Sequence, residues 1–160
     1  MSSLRREKSA RLKYLLGNAL GKRLLSENFE AIKVTDLCEE VEISKVTFFK
    51  YFNSKEELLR YYFRVWCLQI GVDLHSKPKK GIEGIHFIFE EVHKSLHSRP
   101  TFITGLISYM VRDDRIRAPY TLSRLERNLF FPEVEEIEKI ELLSLEQFLD
   151  NFVLEAVLSN

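Results

Sequence analysis

From Leu12 onward, apolar residues recur at Leu12, Leu15, Leu16, Ala19, Leu20 and Leu24, the spacing of a helix with one buried stripe. Ser26-Glu27-Asn28 ends that pattern, Asn being the best substitute for Gly at a left-handed helix stop. A second, short helix is predicted from Val34 to about Glu40, with Val34, Leu37, Cys38 and Val41 on one face. Glu42 and Ile43 leave room only for a tight connection. Ser44 then supplies the N-cap of a third short helix through about Tyr51. Asn53-Ser54 interrupts the chain again, and Ser54 with Glu57 three residues on reads as a capping box. It opens a long fourth helix through roughly Ile70 or Asp73.

Residues 75–80, with Pro78, read as a linker. Five further helices are predicted: 82–97, with Ile82, Ile85, Phe89, Val92 and Leu96 as its stripe, then 100–112, 120–130, 133–143 and 145–158. The segment Asp113–Pro119 is polar, and Pro132 is a break. No stretch alternates as a strand would, and no repeat or sustained heptad is present. The fold class is therefore all-α.

Composition adds a real core and little else. Hydrophobic residues make up 45% of the 160 and aromatics 12%, which argues against wholesale disorder. The two cysteines, Cys38 and Cys67, each sit in a helix-like apolar pattern, as buried reduced thiols do. The N-terminus lacks the apolar core of a signal peptide, and no run approaches the roughly 20 apolar residues of a membrane span. A soluble, cytoplasmic protein is expected, with no membrane partner.

The zero net charge hides an asymmetry. Residues 1–55 hold 11 Lys/Arg against 7 Asp/Glu, whereas the rest of the chain holds 13 against 17. A basic front end suits an anionic partner. Two short helices joined by a tight turn suit double-stranded DNA in particular, because the second can enter a major groove about 12 Å wide. With Ile43, Phe48 and Phe52 anchoring the third helix, Val46, Thr47 and Lys50 point away from the core and are candidates for base-edge contact. Ser44, Lys45, Tyr51 and Lys55 lie at the helix ends and flanks, suited to phosphate. Arg5, Arg6, Lys8 and Arg11 could reach the DNA backbone or an adjacent minor groove.

The run from Ile43-Ser44-Lys45-Val46-Thr47-Phe48-Phe49-Lys50-Tyr51-Phe52 through Asn53-Ser54-Lys55-Glu56-Glu57-Leu58, with Phe29-Glu30-Ala31 before it, resembles the tetracycline-repressor (TetR) family of bacterial transcription regulators. The likeness spans roughly residues 12–66. It implies a three-helix DNA-binding headpiece over residues 1–55. A long fourth helix would join this to a helical ligand-binding and dimerisation body over residues 56–160. It further implies a homodimer closed by the last helices, a palindromic operator read by the third helix, and a small apolar effector whose binding tilts the fourth helix. The apolar run from Phe148 to Leu158 is the expected interface helix.

Four positions depart from the family pattern. Glu42 stands where the family has Gly, Phe49 where it has Tyr, Lys33 where a Thr caps the second helix, and Asn28 where Gly ends the first. Lys33 cannot cap an N–H but can pair with phosphate, and Thr35 is a substitute contact. These departures keep a second reading open, a degenerate regulator with weak DNA affinity acting as a protein-binding adaptor.

In the body, bulky aromatics at helical spacing are core by default. The resemblance suggests that Trp66, His86, Phe89, Phe102 and Tyr109 line an effector pocket. His86, Glu90, His93 and His97 fall on one helix face, and His93 with His97 has metal-ligand spacing. No Cys or Asp stands close enough in sequence to complete a shell, so a solvated or pocket-lining face is expected, with no metal and no cofactor. No phosphate loop, nucleophile elbow or paired-carboxylate motif is present, and an enzyme is not expected.

Overall fold

The computed structural model describes residues 3–112 and 120–159, the side chains of 106 and 108–112 excepted. The polar segment Asp113–Pro119 and the Tyr109 side chain lie outside the described residues. The fold is all-helical, with α1 (Ser3–Arg23), α2 (Val34–Glu40), α3 (Lys45–Phe49), α4 (Lys55–Ser76), α5 (Gly81–Ser98), α6 (Pro100–Arg112), α7 (Arg124–Phe130) and α8 (Leu145–Leu158). No described helix is long and apolar enough to cross a membrane.

α1 begins well before its apolar stripe. Its first two turns are exposed and polar, and Ser3 Oγ donates to Glu7 Oε1 at 2.8 Å. The helix stops at Arg23, and Asn28 is extended (φ −68°, ψ 136°) rather than left-handed. Asn28 instead heads a single 3-10 turn, Phe29–Ala31, so the expected left-handed stop is not the one used.

α4 is the spine. It buries Leu58, Leu59, Tyr61, Arg64, Val65, Trp66, Cys67, Leu68 and Ile70, and packs on α1 and α6. One hydrophobic cluster runs from Leu16, Phe48 and Phe52 through α4 to Phe102, Phe131, Phe148 and Phe152. α8 lies on α5, with the Phe152 ring where a Cβ of residue 84 would stand, so only glycine admits this approach. Both cysteines are buried free thiols, and burial pushes the Cys67 thiol up to about 12, which leaves it inert.

The predicted helix 133–143 does not form. Its place is taken by an irregular stretch with one 3-10 turn, Ile137–Lys139, entered through left-handed Glu136 (φ 54°). Two guanidinium groups hold this stretch by its backbone carbonyls, which satisfies them without a helix. Arg127 donates to the carbonyls of Leu122, Ile137 and Ile140, the last at 2.7 Å. Arg64, only 6% exposed, donates to those of Tyr120 (3.1 Å), Leu143 (3.1 Å) and Leu142 (2.9 Å). Burial, with Arg64 nearby, lowers the pKa of Arg127. α7 is correspondingly shorter than 120–130 and starts at a capping box of Ser123 and Glu126.

Candidate nucleic-acid interface

Local hydrogen bonds set where the helices of the front end begin. Ser44 Oγ accepts the Thr47 N–H at 3.1 Å and lies 3.0 Å from the Thr47 hydroxyl, which starts α3 where a cap residue should. Ser54 Oγ accepts the Glu57 N–H, while the Glu57 carboxylate reaches past Ser54 to the Asn53 N–H at 2.8 Å. The capping box is thus offset by one residue on its return arm. Lys33 precedes α2 in extended conformation with no side-chain cap bond, and the Thr35 hydroxyl bonds the Asp36 carboxylate at 3.1 Å.

α3 is pinned from beneath by Phe48 and Phe52, both 0% exposed, with ring centres 5.9 Å apart and Phe52 5.4 Å from Tyr61. Pinning one side fixes what the other presents. Val46 is 69% and Phe49 50% exposed, and Ser44, Lys45 and Lys50 are exposed beside them. Thr47 and Tyr51 are half-buried at the edge of this face. Among the described residues neither Lys45 nor Lys50 is held in an ion pair, whereas Arg23 pairs with Glu27 and Glu40 behind the face. Lys33 is exposed at the start of α2, and Arg5, Arg6, Lys8 and Arg11 are exposed along the first turns of α1.

Glu42 takes the left-handed conformation (φ 57°) between α2 and α3, as the tight connection requires. For a residue with a Cβ this costs about 1 kcal/mol. Glu42→Gly is therefore expected to raise the stability by about 0.5–1 kcal/mol and to remove an exposed negative charge beside α3. A urea midpoint that stays put or falls in that variant would contradict this.

Lys55 is placed differently from the phosphate contact expected of it. Its ammonium donates to the carbonyls of Phe29 (2.7 Å), Ile32 (2.9 Å) and Glu30 (3.3 Å) and lies 4.4 Å from the Phe29 ring centre. All three N–H donors are thereby used in clamping the 3-10 turn to the start of α4. Lys55→Met is expected to lower the unfolding free energy by about 2 kcal/mol while leaving the salt dependence of DNA binding unchanged. A shallower salt slope with unchanged stability would return the ammonium to phosphate. Nothing in the one-dimensional pattern signals this clamp, because its acceptors are backbone carbonyls 23 to 26 residues away.

Of the five residues expected to form one effector pocket, the four whose side chains are described, Trp66, His86, Phe89 and Phe102, are not brought together. Trp66 (6% exposed) and Phe102 (0%) lie in the core, where their rings pack at 6.0 Å and on Phe63 at 5.5 and 6.2 Å. His86 and Phe89 instead face outward on α5, beside Glu90, His93 and Lys94 in an open groove of about 500 Å³. The helical period puts aromatics on several faces, and the sequence does not say which faces meet. The rings of His93 and His97 lie 5.0 Å apart, but among the described residues no group of three His, Cys, Asp or Glu is arranged to hold a metal ion.

No curated protein and no solved structure matches the chain. Residues 20–62 match the profile of a family described as "Bacterial regulatory proteins, tetR family". The match takes in the end of α1, both short helices and the first third of α4, which are the elements that build and carry the exposed face of α3. Residues 20–62 thus form a headpiece similar to that of the tetR family of bacterial regulatory proteins, the DNA-binding part of transcription regulators, within an all-helical fold.

Proposed function

We propose that the protein is a dimeric repressor that binds a palindromic operator through α3 and is released by a small-molecule effector held in the helical body. The observation that carries this reading is the face of α3. Val46, Thr47 and Lys50 are offered to base edges, with Ser44, Lys45, Tyr51, Lys33 and Thr35 around them for phosphate. Phe49 adds an exposed ring where an aromatic can pack on sugar or a thymine methyl. The division of labour falls at Lys55, with reading in residues 1–55 and effector binding and pairing in 56–160.

Dimerisation is supported by large apolar side chains left in water on two neighbouring helices. On α5 these are Ile82 and Phe89, both 64% exposed, and on α8 they are Val153, Leu154, Val157 and Leu158, from 50% to 76% exposed. A two-fold dimer sets its two reading helices about one DNA turn apart, roughly 34 Å. An effector releases DNA only to the extent that it binds the non-operator state better, and DNA weakens the effector by the same factor.

Sedimentation of the protein alone, with anisotropy titration of a random-sequence duplex at two salt concentrations, tests this. A dimer whose non-specific binding falls steeply with salt is expected. A monomer, or a dimer with salt-independent or undetectable binding at low salt, contradicts it. The second of these favours the adaptor reading, for which exposed Phe49 and negatively charged Glu42 are the supporting observations.

A further inference from the structure

A cleft of about 260 Å³ opens where α1, α4 and the α5–α6 junction meet, lined by Asn18, Gly21, Lys22, Leu25, Tyr62 and Arg99. It is separate from the α3 face and from the groove on α5. Two of its six residues are cations, and among the described residues neither Lys22 nor Arg99 meets a carboxylate. By contrast Lys13, Arg23, Lys79, Lys94, Arg124 and Lys139 each do. The Arg99 guanidinium donates to Tyr62 Oη and lies 5.7 Å from the Tyr62 ring centre and 5.5 Å from that of Phe102. That contact holds the guanidinium in place and leaves most of its five N–H donors for another partner.

Tyr62 can line the cleft because residue 21 has no side chain. A Cβ there would stand 2.7 Å from Tyr62 Oη and 2.8 Å from its ring. The result is a mostly apolar recess carrying two cations, with Leu25 and the Tyr62 ring as walls and, among the described residues, no acid paired to either charge. A planar carboxylate matches a guanidinium fork through two parallel hydrogen bonds and draws in the neighbouring ammonium. The volume of about 260 Å³ falls below the roughly 300–1,000 Å³ of drug-sized ligand sites, which restricts the occupant to a small acid.

We propose that this cleft binds a small organic carboxylate. The carboxylate sits on Arg99 and Lys22, a short apolar body rests against Leu25 and Tyr62, and Asn18 is available to a further polar group. Such a ligand joins α1 of the headpiece to the body at the junction of α5 and α6. Naming it an effector rests on the DNA-binding reading. The experiment below contains no DNA, so the site and that reading fail separately.

The full chain is titrated at constant ionic strength with benzoate and with hexanoate. Heat is followed by calorimetry, and the fluorescence of Trp66, the single tryptophan, is followed beside Phe102. Saturable binding of at least one acid is expected, with none for neutral benzamide. Lys22→Glu and Arg99→Gln are each expected to weaken binding at least tenfold. Arg124→Gln, an exposed cation on α7, should leave it unchanged. Lys22 is exposed, so its variant keeps the fold even if the Arg99 variant does not. The proposal is overturned if neither acid saturates, if benzamide or inorganic phosphate binds as tightly, or if Lys22→Glu binds like the parent.

Discussion

Arg64→Ala is expected to destabilise the protein by about 3–5 kcal/mol, the largest effect of any single substitution discussed. The guanidinium is 6% exposed and bonds three carbonyls on either side of α7, that of Tyr120 before it and those of Leu142 and Leu143 after it. Hydrogen bonds to a charged donor each contribute about 1.5–3 kcal/mol, and removal leaves three part-buried carbonyls without this donor. These three acceptors hold residues 120–143 against α4, so their loss also loosens the platform on which α8 begins. Arg64→Lys should recover only part of the stability, since one ammonium cannot reproduce a planar fork. Urea unfolding measures both. A loss below about 1 kcal/mol for the alanine variant would mean that water replaces the guanidinium freely and that this description of the platform is wrong.

The second large effect concerns DNA. Lys45→Glu combined with Lys50→Glu reverses two exposed charges on α3 in each protomer, four in a dimer. If each lysine neutralises about one phosphate, the slope of log K against log salt should fall by roughly 0.9 per contact. Affinity at moderate salt should drop by about a thousandfold or more. Neither side chain is held in an ion pair among the described residues, and Phe48 and Phe52 beneath them are untouched, so thermal stability should stay within a few degrees of the parent. Lys94→Glu on α5 is the matched control, and its DNA binding should change little. A double variant that binds within threefold of the parent would remove α3 from the interface.

Where local rules decide, the sequence was legible. Ser44 and Ser54 cap the helices they were expected to cap, and both were readable because a cap depends on residues three apart. Phe48 and Phe52 could be assigned inward and Val46 and Lys50 outward from helical spacing alone. Glu42 stands where the resembled family has Gly, and it takes the left-handed conformation that such a position favours. What could not be read depends on partners far along the chain. The carbonyls that claim Lys55 and Arg64, the second of which holds the irregular stretch found where a helix over 133–143 was expected, come from residues brought near only by the fold. The scattered effector set failed for the same reason, since periodicity gives the face of one helix and says nothing of which helix it meets. The cleft at Lys22 and Arg99 is not legible in the sequence because its residues come from separate parts of the chain, α1 and its end, α4 and the α5–α6 junction.

The most direct test of the central claim is to select duplexes from a random pool with the purified protein, at two salt concentrations, and sequence what is retained. An enriched inverted repeat is expected, with half-sites about 10 base pairs apart centre to centre, lost in the Lys45→Glu/Lys50→Glu variant. A folded dimer that enriches no sequence at low salt would contradict it.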